Sequence, residues 1–183
     1  MRNLVLISLL AMLSCTSETH LSYTVDYRYL QAIPDYSDGQ VYFNSENDTV
    51  ILKLTTTDSR FISSNIMAPN GSNYSYEELN YTYNSISSTP MNMVFSVSSF
   101  PTNDFKRPAL TTIEFYSIQN FGLTLHCSET DTVVPYPNLV YYKTWQHQGK
   151  TYNEVYADTS LFYYSMDGEI IRFKSLGKWF DQP

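Results

Sequence analysis

Short runs of aromatic and β-branched residues, separated by polar clusters, recur along the chain, and this pattern constrains the fold most. Apolar and polar residues alternate within the runs, and nowhere do apolar residues keep the i, i+3, i+4, i+7 spacing of a helix for four turns. We therefore predict an all-β protein of antiparallel strands, arranged as a β-sandwich or a barrel-like meander. The predicted strands are 21–30, 41–46, 49–57, 60–67, 91–99, 111–118, 122–129, 139–147, 151–157, 160–166 and 169–174, while 74–88 fits either a strand or a short helix.

Three tight turns predict hairpins. Asn47-Asp48, Gln148-Gly149 and Asp167-Gly168 each lie between two strand-like runs, and Asn, Asp and Gly tolerate the positive φ of a two-residue loop. Each loop implies a register, in which the facing pairs are Phe43 with Leu52 and Val41 with Leu54; Trp145 with Tyr152, Tyr141 with Tyr156 and Lys143 with Glu154; and Tyr164 with Ile171 and Phe162 with Phe173. The first register assigns to the core face Val41, Phe43, Val50, Leu52 and Leu54, and to the opposite face Tyr42 and Lys53.

The charge balance excludes nucleic acid as a partner. The 183 residues include 11 Lys and Arg against 18 Asp and Glu, a net charge of -7, and no cluster of cations exceeds the pair Lys106-Arg107. Nucleic-acid binding depends on clustered cations. With 43% hydrophobic residues, 17 Tyr and 10 Phe, the chain has the side chains for a core, which excludes a disordered protein. Its length allows one domain, or one plus a small appendage, and we favour one.

The first residues have the features of an export signal. Arg2 precedes an apolar run at 4–13, which is too short to span a bilayer but fits the apolar region of a secretory signal. The following Leu13-Ser14-Cys15 resembles a bacterial lipoprotein signal, in which the cysteine becomes the lipidated N-terminus. The alternative is cleavage after Ser14 by ordinary signal peptidase, which would put the large Met12 where a small residue is wanted.

The resemblance implies a domain plan and a location. Residues 1–14 would be the signal peptide, 15–20 a short tether and 21–183 a single antiparallel β domain. Lipid on Cys15 would anchor the domain in the cell envelope, at the outer membrane, so the membrane would be one partner. A lipidated Cys15 cannot form a disulfide, and Cys127 is then interpreted as a small buried residue in a strand.

A second resemblance lies in the last 35 residues. Its elements are, in order, Gly149-Lys150-Thr151-Tyr152-Asn153-Glu154-Val155-Tyr156, Tyr163-Tyr164-Ser165, Gly168-Glu169-Ile170-Ile171-Arg172-Phe173 and Trp179. Together they are similar to the tail of small uncharacterised Bacteroidota-type cell-envelope lipoproteins. That resemblance implies an antiparallel β domain and no known catalytic residues.

Sequence motifs of the common enzymes are absent. No Gly-x-Ser-x-Gly, His-Glu-x-x-His, Gly-rich phosphate loop or Cys-x-x-Cys occurs in the chain. His126 and Cys127 are adjacent, so in a strand they point to opposite faces and cannot hold one metal. We predict a non-enzymatic protein without metal or cofactor. A carboxylate-based glycoside hydrolase is the enzyme alternative, with candidate acids Glu77-Glu78, Asp35 and Asp38, all expected in turns.

The hairpin of 139–147 and 151–157 is the candidate binding surface. Its register puts four aromatic residues on one face with an oppositely charged pair between them; these are Tyr141, Trp145, Tyr152, Tyr156, Lys143 and Glu154. Such a face suits a sugar. The competing interpretation is that this face packs in the core and leaves in water Tyr142, Thr144, Gln146 and Asn153.

Two functions follow from these observations. The favoured one is a lipid-anchored binding protein for a glycan or a partner protein of the envelope. The alternative is a structural or assembly accessory of an envelope complex, acting through a sheet edge or an aromatic face.

Overall fold

The all-β prediction is confirmed by a computed structural model, which describes residues 20–44, 46, 48–64, 73–87, 91–100, 110–117, 122–127, 133–135 and 139–183. Within these ranges the strands are β1 (His20–Tyr23), β2 (Gln40–Phe43), β3 (Thr49–Ser64), β4 (Asn73–Ser85), β5 (Asn92–Phe100), β6 (Leu110–Ser117), β7 (Gly122–Cys127), β8 (Val133–Pro135), β9 (Val140–His147), β10 (Lys150–Asp158), β11 (Phe162–Ser165), β12 (Glu169–Ser175) and β13 (Lys178–Asp181). A 3-10 helix, Tyr27–Ala32, follows β1. The ambiguous segment 74–88 is mostly strand, because it lies largely in β4.

The described strands form a single open sheet. Their order is β8-β7-β6-β5-β4-β3-β2-β13-β12-β11-β10-β9, and β1 pairs in parallel with the start of β4. The last strand, β13, joins the two halves of the sheet by pairing with β2, where Asp181 faces Phe43. The early and late parts of the chain therefore belong to one sheet system.

Buried tyrosines connect the sheet to the segment around the 3-10 helix. Tyr164 donates its hydroxyl to the carbonyl of Ala32, and Tyr83 donates to the carbonyl of Pro34 at 2.8 Å. Both tyrosines are fully buried. A buried hydroxyl and a buried carbonyl each need a partner. These hydrogen bonds help to explain how a core rich in tyrosine is stabilised, because each of the two hydroxyls donates to a backbone carbonyl of the segment around the 3-10 helix.

The predicted strand 21–30 is wrong beyond Tyr23, where β1 ends. The chain turns instead into the 3-10 helix, with Tyr29 N donating to Asp26 O at 3.1 Å. Tyr29 and Ala32 are three residues apart, so they share one side of this helix, and both are buried in the main core. Burial of that side outweighed the strand preference of the aromatic residues.

The prediction of two strands at 49–57 and 60–67 is also wrong, because β3 is continuous from Thr49 to Ser64. The pair Asp58-Ser59 resembles a turn in sequence. In the fold β4 pairs along the strand, with Asp58 opposite Asn80, and a register shift between Leu54 and Thr56 is its one irregularity. A long neighbouring strand thus overrides a local turn signal.

The register predicted for the β2–β3 hairpin is wrong. Phe43 faces Thr49 rather than Leu52, and Tyr42 faces Val50, so Tyr42 is fully buried while Phe43 is 42% exposed. The connection is 44–48 instead of a two-residue loop; Asn47 of the predicted turn lies outside the described residues. Asn44 closes this connection by accepting hydrogen bonds from the backbone N–H groups of Glu46 and Asp48 at 2.9 and 2.8 Å.

The β11–β12 hairpin matches its prediction at one end only. Phe162 faces Phe173 as predicted, but Tyr164 faces Ile170 because the register shifts at Tyr163 and Tyr164. Ile171 therefore joins a second core cluster instead of the face of Phe162. The connection is three residues long and ends in a glycine of positive φ, which is typical of a loop with a bulge.

Gly168 in that connection also has a packing role. Its φ is +80°, and a Cβ atom there would lie 2.8 Å from the carbonyl oxygen of Gln31 and 3.1 Å from that of Ile33. Only glycine allows the backbone of the 3-10 helix segment to come this close.

Candidate functional site

The β9–β10 hairpin has the predicted register, but its six candidate residues do not form one surface. Trp145 faces Tyr152 and Tyr141 faces Tyr156, as predicted. Tyr156 is 4% exposed and packs in the main core, whereas Tyr152 is 3% exposed and packs in the second cluster with Val155 and Ile171. Tyr141 is 46% exposed.

The predicted pairing of Lys143 with Glu154 is missing from the ladder. Asn153 pairs with Thr144, and the next pair in the ladder is Val155 with Tyr142. Glu154, between the two pairs, adopts a φ of 48°. Lys143 and Glu154 are both exposed.

This irregularity breaks the two-residue alternation in both strands. Tyr152 and Val155, three residues apart, pack in the same cluster, and Tyr142 and Trp145 pack against that cluster from the other strand. The side chains of Thr144, Gln146 and Asn153 are exposed, as the core interpretation predicted, but Tyr142 is half-buried. A non-glycine residue at positive φ was not predictable from the alternation of the hairpin.

Beyond the irregularity, the tip of the hairpin folds over the sheet. His147 Nε2 lies 2.8 Å from Asp181 Oδ1, although β9 and β13 are four places apart in the strand order. In a flat sheet such strands would be about 19 Å apart. Lys150 Nζ lies 3.0 Å from both carboxylate oxygens of Glu169, which adds a second link from the tip to β12.

Stacked rings occupy the space between the tip and the sheet. Trp145 stacks on His147 and on Tyr163, with ring centroids 4.8 and 4.6 Å apart. The guanidinium carbon of Arg172 lies 4.2 Å from the centroid of Trp179. Trp145 already has two stacked partners, so we interpret this cluster as the contact that holds the hairpin tip down rather than as a free platform for a sugar.

The carboxylate of Asp181 lies next to the guanidinium of Arg172 in this cluster. Arg172 Nε is 2.9 Å from Asp181 Oδ1, the same oxygen that contacts His147. This is an ion pair by distance; the buried Nε atom makes no hydrogen bond within the described residues.

A different surface carries the more extended set of polar groups. Alternate residues of β4 share one face, and their side chains define what we call the polar row: Tyr76, Glu78, Asn80, Thr82 and Asn84. This row was not predicted, because Glu77-Glu78 was expected in a turn, whereas both residues lie in β4. The two-residue spacing of Glu78, Asn80, Thr82 and Asn84 was the signal that would have found it.

One end of the polar row is organised around Glu78. Its Oε1 atom accepts hydrogen bonds from Arg60 Nη2 at 2.6 Å and from Asn80 Nδ2 at 2.8 Å. Burial first, and then the nearby Glu78 carboxylate, raise the pKa of Tyr76 above its ordinary value. The half-buried ring of Tyr76 thus lies near the carboxylate of Glu78 and the guanidinium of Arg60, and the carboxylate has the larger effect on its pKa.

At the other end, a chain of hydrogen bonds crosses three strands. Asn92 Nδ2 donates to Asn84 Oδ1 at 2.6 Å, and Asn84 Nδ2 donates to Thr55 Oγ1 at 2.8 Å. Thr55 Oγ1 in turn donates to the carbonyl of Thr82 at 3.0 Å. Thr55 lies at the register shift of β3, which brings its hydroxyl into the chain. Each amide is therefore held in a defined orientation.

Two serines line the side of the polar row next to β5. Ser98 faces Glu78 and Ser96 faces Asn80, and both serines are buried while these two neighbours are half-buried. Small side chains therefore lie next to the larger ones of the polar row on this side.

The carboxylates of Glu77 and Glu78 do not face each other, and Asp38 lies in a turn, as expected. Glu77 and Glu78 point to opposite faces of β4, as adjacent residues of a strand do, and Glu77 Oε2 accepts a hydrogen bond from Val25 N at 2.9 Å. Asp35 lies in the loop after the 3-10 helix and accepts a hydrogen bond from Ser37 N.

A cleft of about 200 Å³ lies behind the polar row. Five apolar or aromatic residues and one acid line it, namely Leu30, Ile33, Pro34, Leu54, Tyr81 and Asp35. Tyr81 belongs to the face of β4 opposite the row.

The remaining sequence predictions fall partly outside the described ranges. Cys15 lies outside them, and the side chains of His126 and Cys127 are not described. Among the residues that the structure describes, no group of His, Cys, Asp and Glu side chains is arranged to hold a metal ion. In the same ranges, no helix has the length and apolar character needed to cross a bilayer.

Comparison of the chain with protein-family models, with curated proteins and with solved structures gives no match.

Proposed function

We propose that this protein is a lipid-anchored binding protein of the cell envelope, located at the outer membrane, and that its β domain binds a glycan along the polar row. The observation that carries the proposal is the row of amide, hydroxyl and carboxylate groups from Tyr76 to Asn84, which is held at one end by Glu78 and at the other end by hydrogen bonds that cross three strands. The support for the anchor is the apolar run followed by Cys15.

The chemistry of the row fits a ligand with many hydroxyl groups. Amides and carboxylates offer both donors and acceptors in fixed positions, as neighbouring hydroxyls of a sugar require. From Tyr76 to Asn84 the row extends about 26 Å, which suits an extended chain better than a single small molecule. The ring of Tyr76 adds an apolar surface at one end, and such a ring suits the apolar face of a sugar.

The fixed orientation of the side chains in the polar row lowers the entropy cost of binding a ligand. A polar side chain that is free to rotate loses conformational entropy when a ligand binds, at a cost of about 0.5 to 1.5 kcal/mol for a flexible residue. Asn84 and Asn80 are already held by neighbours at 2.8 Å. The polar row therefore loses less entropy on binding than an ordinary exposed strand face.

Replacement of the row amides is expected to abolish glycan binding without unfolding the domain. Asn80→Ala together with Asn84→Ala removes several hydrogen bonds of about 0.5 to 1.5 kcal/mol each, so affinity should fall at least tenfold. A glycan array with the full-length protein in detergent would identify the ligand, and calorimetry would measure the loss. Thr144→Ala together with Asn153→Ala, both on the exposed side of the hairpin, is the matched control.

The result of that experiment distinguishes between the two candidate binding surfaces and between the two candidate functions. Unchanged affinity in the row variant, with lost affinity after Tyr141→Ala, would move the site to the exposed part of the hairpin. An array without any binding, together with co-purification of a partner protein in stoichiometric amount, would favour the envelope accessory instead.

Lipid attachment is a separate expectation. Mature protein extracted from membranes should begin at Cys15 and carry diacylglyceryl and N-acyl groups, because several acyl chains anchor a protein stably where one does not. Intact-mass spectrometry would show the added lipid, and Cys15→Ser should release the protein from the membrane fraction. An unmodified N-terminus at Thr16 or later would contradict the anchor while leaving glycan binding open to its own test.

A further inference from the structure

Among the described strands, none pairs with one edge of β3 over most of its length. β3 has 16 residues, and β4 pairs with it from Leu52 to Ser64, but on its other side β2 pairs only with residues 49–52. Leu54 N on that edge is satisfied by the carbonyl of Tyr36 at 3.0 Å. No described strand lies beside residues 55–63 on this side.

The side chains along this stretch are also open to solvent. Residues 55–61 are all exposed, and Phe61 has 53% of its surface in water. A long edge with an exposed aromatic residue readily pairs with another strand, and proteins usually protect such an edge.

From this edge and its charge pattern we infer that the protein forms a two-fold symmetric dimer, in which residues 55–63 of β3 pair antiparallel with the same residues of a second copy, centred on Ser59. In an isologous interface each contact occurs twice. Around Ser59, Asp58 faces Arg60 of the second copy, and Arg60 faces the second copy's Asp58.

The charges select this register over its neighbours. A centre at Asp58 would set two aspartates opposite each other, and a centre at Arg60 would set two arginines opposite each other. Like charges directly opposite across two strands are destabilising, and opposite charges are favourable. Arg60 also keeps its hydrogen bond to Glu78 at 2.6 Å, so the interface would carry an alternating row of charges.

The same register accounts for the exposed aromatic residue. Phe61 would face Thr57 of the second copy on the side of the sheet opposite to Asp58 and Arg60. Pairing would therefore cover the ring of Phe61, which is 53% exposed in the single chain.

The dimer would place the two polar rows side by side. A two-fold axis perpendicular to the sheet leaves the same face of each copy on the same side, so both rows would lie on one continuous sheet. This step alone rests on the proposed function. Two rows on one surface would raise avidity for a ligand that reaches both.

Charge reversal tests the dimer independently of any glycan. Asp58→Arg makes both charged positions of the edge cationic, and Arg60→Asp makes both anionic. Each variant alone should dimerise at least tenfold more weakly than the wild-type protein. An equimolar mixture of the two should form a heterodimer, because each position then faces its opposite charge.

The measurement is sedimentation equilibrium of the full-length protein in density-matched detergent over a wide range of concentration. Lys143→Glu, an exposed charge reversal on the hairpin, should leave dimerisation unchanged. Hydrogen exchange of the amides in 55–63 should slow with concentration in the wild type and in Lys143→Glu, and should not slow in either Asp58→Arg or Arg60→Asp alone. A wild type that stays monomeric, or single reversals that dimerise as well as the wild type, would overturn the inference.

Discussion

Above pH 10 the free energy of unfolding is expected to fall by about 4 kcal/mol per pH unit, because three buried tyrosines resist ionisation. Burial raises the pKa of Tyr36, of Tyr42 and of Tyr83 far above the ordinary value of 10. In the unfolded chain each phenol ionises near pH 10 while the folded state keeps the proton. Each group therefore destabilises the fold by about 1.4 kcal/mol per pH unit above 10.

The sign of this effect follows from which state binds more protons. Above pH 10 the folded state binds more, so stability falls as pH rises, and below pH 10 these tyrosines make no contribution to the pH dependence. A domain with the usual 5 to 15 kcal/mol would unfold between about pH 11 and pH 14. Urea unfolding followed by infrared spectroscopy at several pH values, with tyrosinate absorbance recorded in parallel, measures the slope.

Tyr42→Phe provides the internal check. The Tyr42 hydroxyl contacts the hydroxyl of Tyr36 at 2.8 Å and the carbonyl of Ile170 at 3.0 Å. Its removal leaves buried polar groups unpaired and should cost about 1 to 3 kcal/mol at neutral pH. The variant should nevertheless show a slope smaller by about one third at alkaline pH. Tyr141→Phe, at a residue 46% exposed, is the control, and a wild-type slope near zero would contradict the mechanism.

Trp145→Ala is expected to destabilise the domain by about 3 kcal/mol, near the lower end for loss of a packed aromatic residue, because the indole is only half-buried. The substitution removes the stacking on His147 and Tyr163 and the packing against the second core cluster. The hairpin tip, linked to the sheet by His147 and Lys150, should then open and expose its amides. Chemical denaturation and hydrogen exchange of residues 144–153 measure the two effects.

Thr144→Ala is the matched control, since Thr144 is the exposed neighbour of the same strand. For fluorescence, Trp179→Phe leaves Trp145 as the reporter, and its emission should be blue-shifted and insensitive to glycans. Unchanged stability of Trp145→Ala together with lost glycan affinity would show that Trp145 belongs to a binding site after all.

The order of residues within a strand and its turn was sufficient to predict features that depend on neighbours in the sequence. Alternation and turn residues predicted the all-β class and the register of the β9–β10 hairpin, where Trp145 faces Tyr152. The same reasoning was wrong at Phe43, because it assumed a two-residue loop where Asn44 organises a longer connection. Loop length decides which face of β2 lies on the same side as the apolar face of β3. The longer connection pairs Tyr42 with Val50, so Tyr42 is buried and Phe43 is exposed.

The candidate surfaces depended on contacts that local pattern does not contain. The six hairpin residues were found as a group, but the positive φ of Glu154 divides them between two core clusters. The polar row was overlooked because Glu77-Glu78 resembles a turn, and only pairing with β3 and β5 makes this segment a strand.

The sequence by itself determined the all-β class, the β9–β10 hairpin and the acidic, tyrosine-rich character of the chain, since these depend on residue type and on spacing over a few positions. Tertiary structure alone decided that β13 pairs with β2, that His147 reaches Asp181 over the folded hairpin, and that no described strand pairs with residues 55–63 of β3 on the side away from β4. The physical reason is that these contacts join residues far apart in the chain. Their free energy comes from burial and strand pairing, and the same local pattern is compatible with many different long-range pairings.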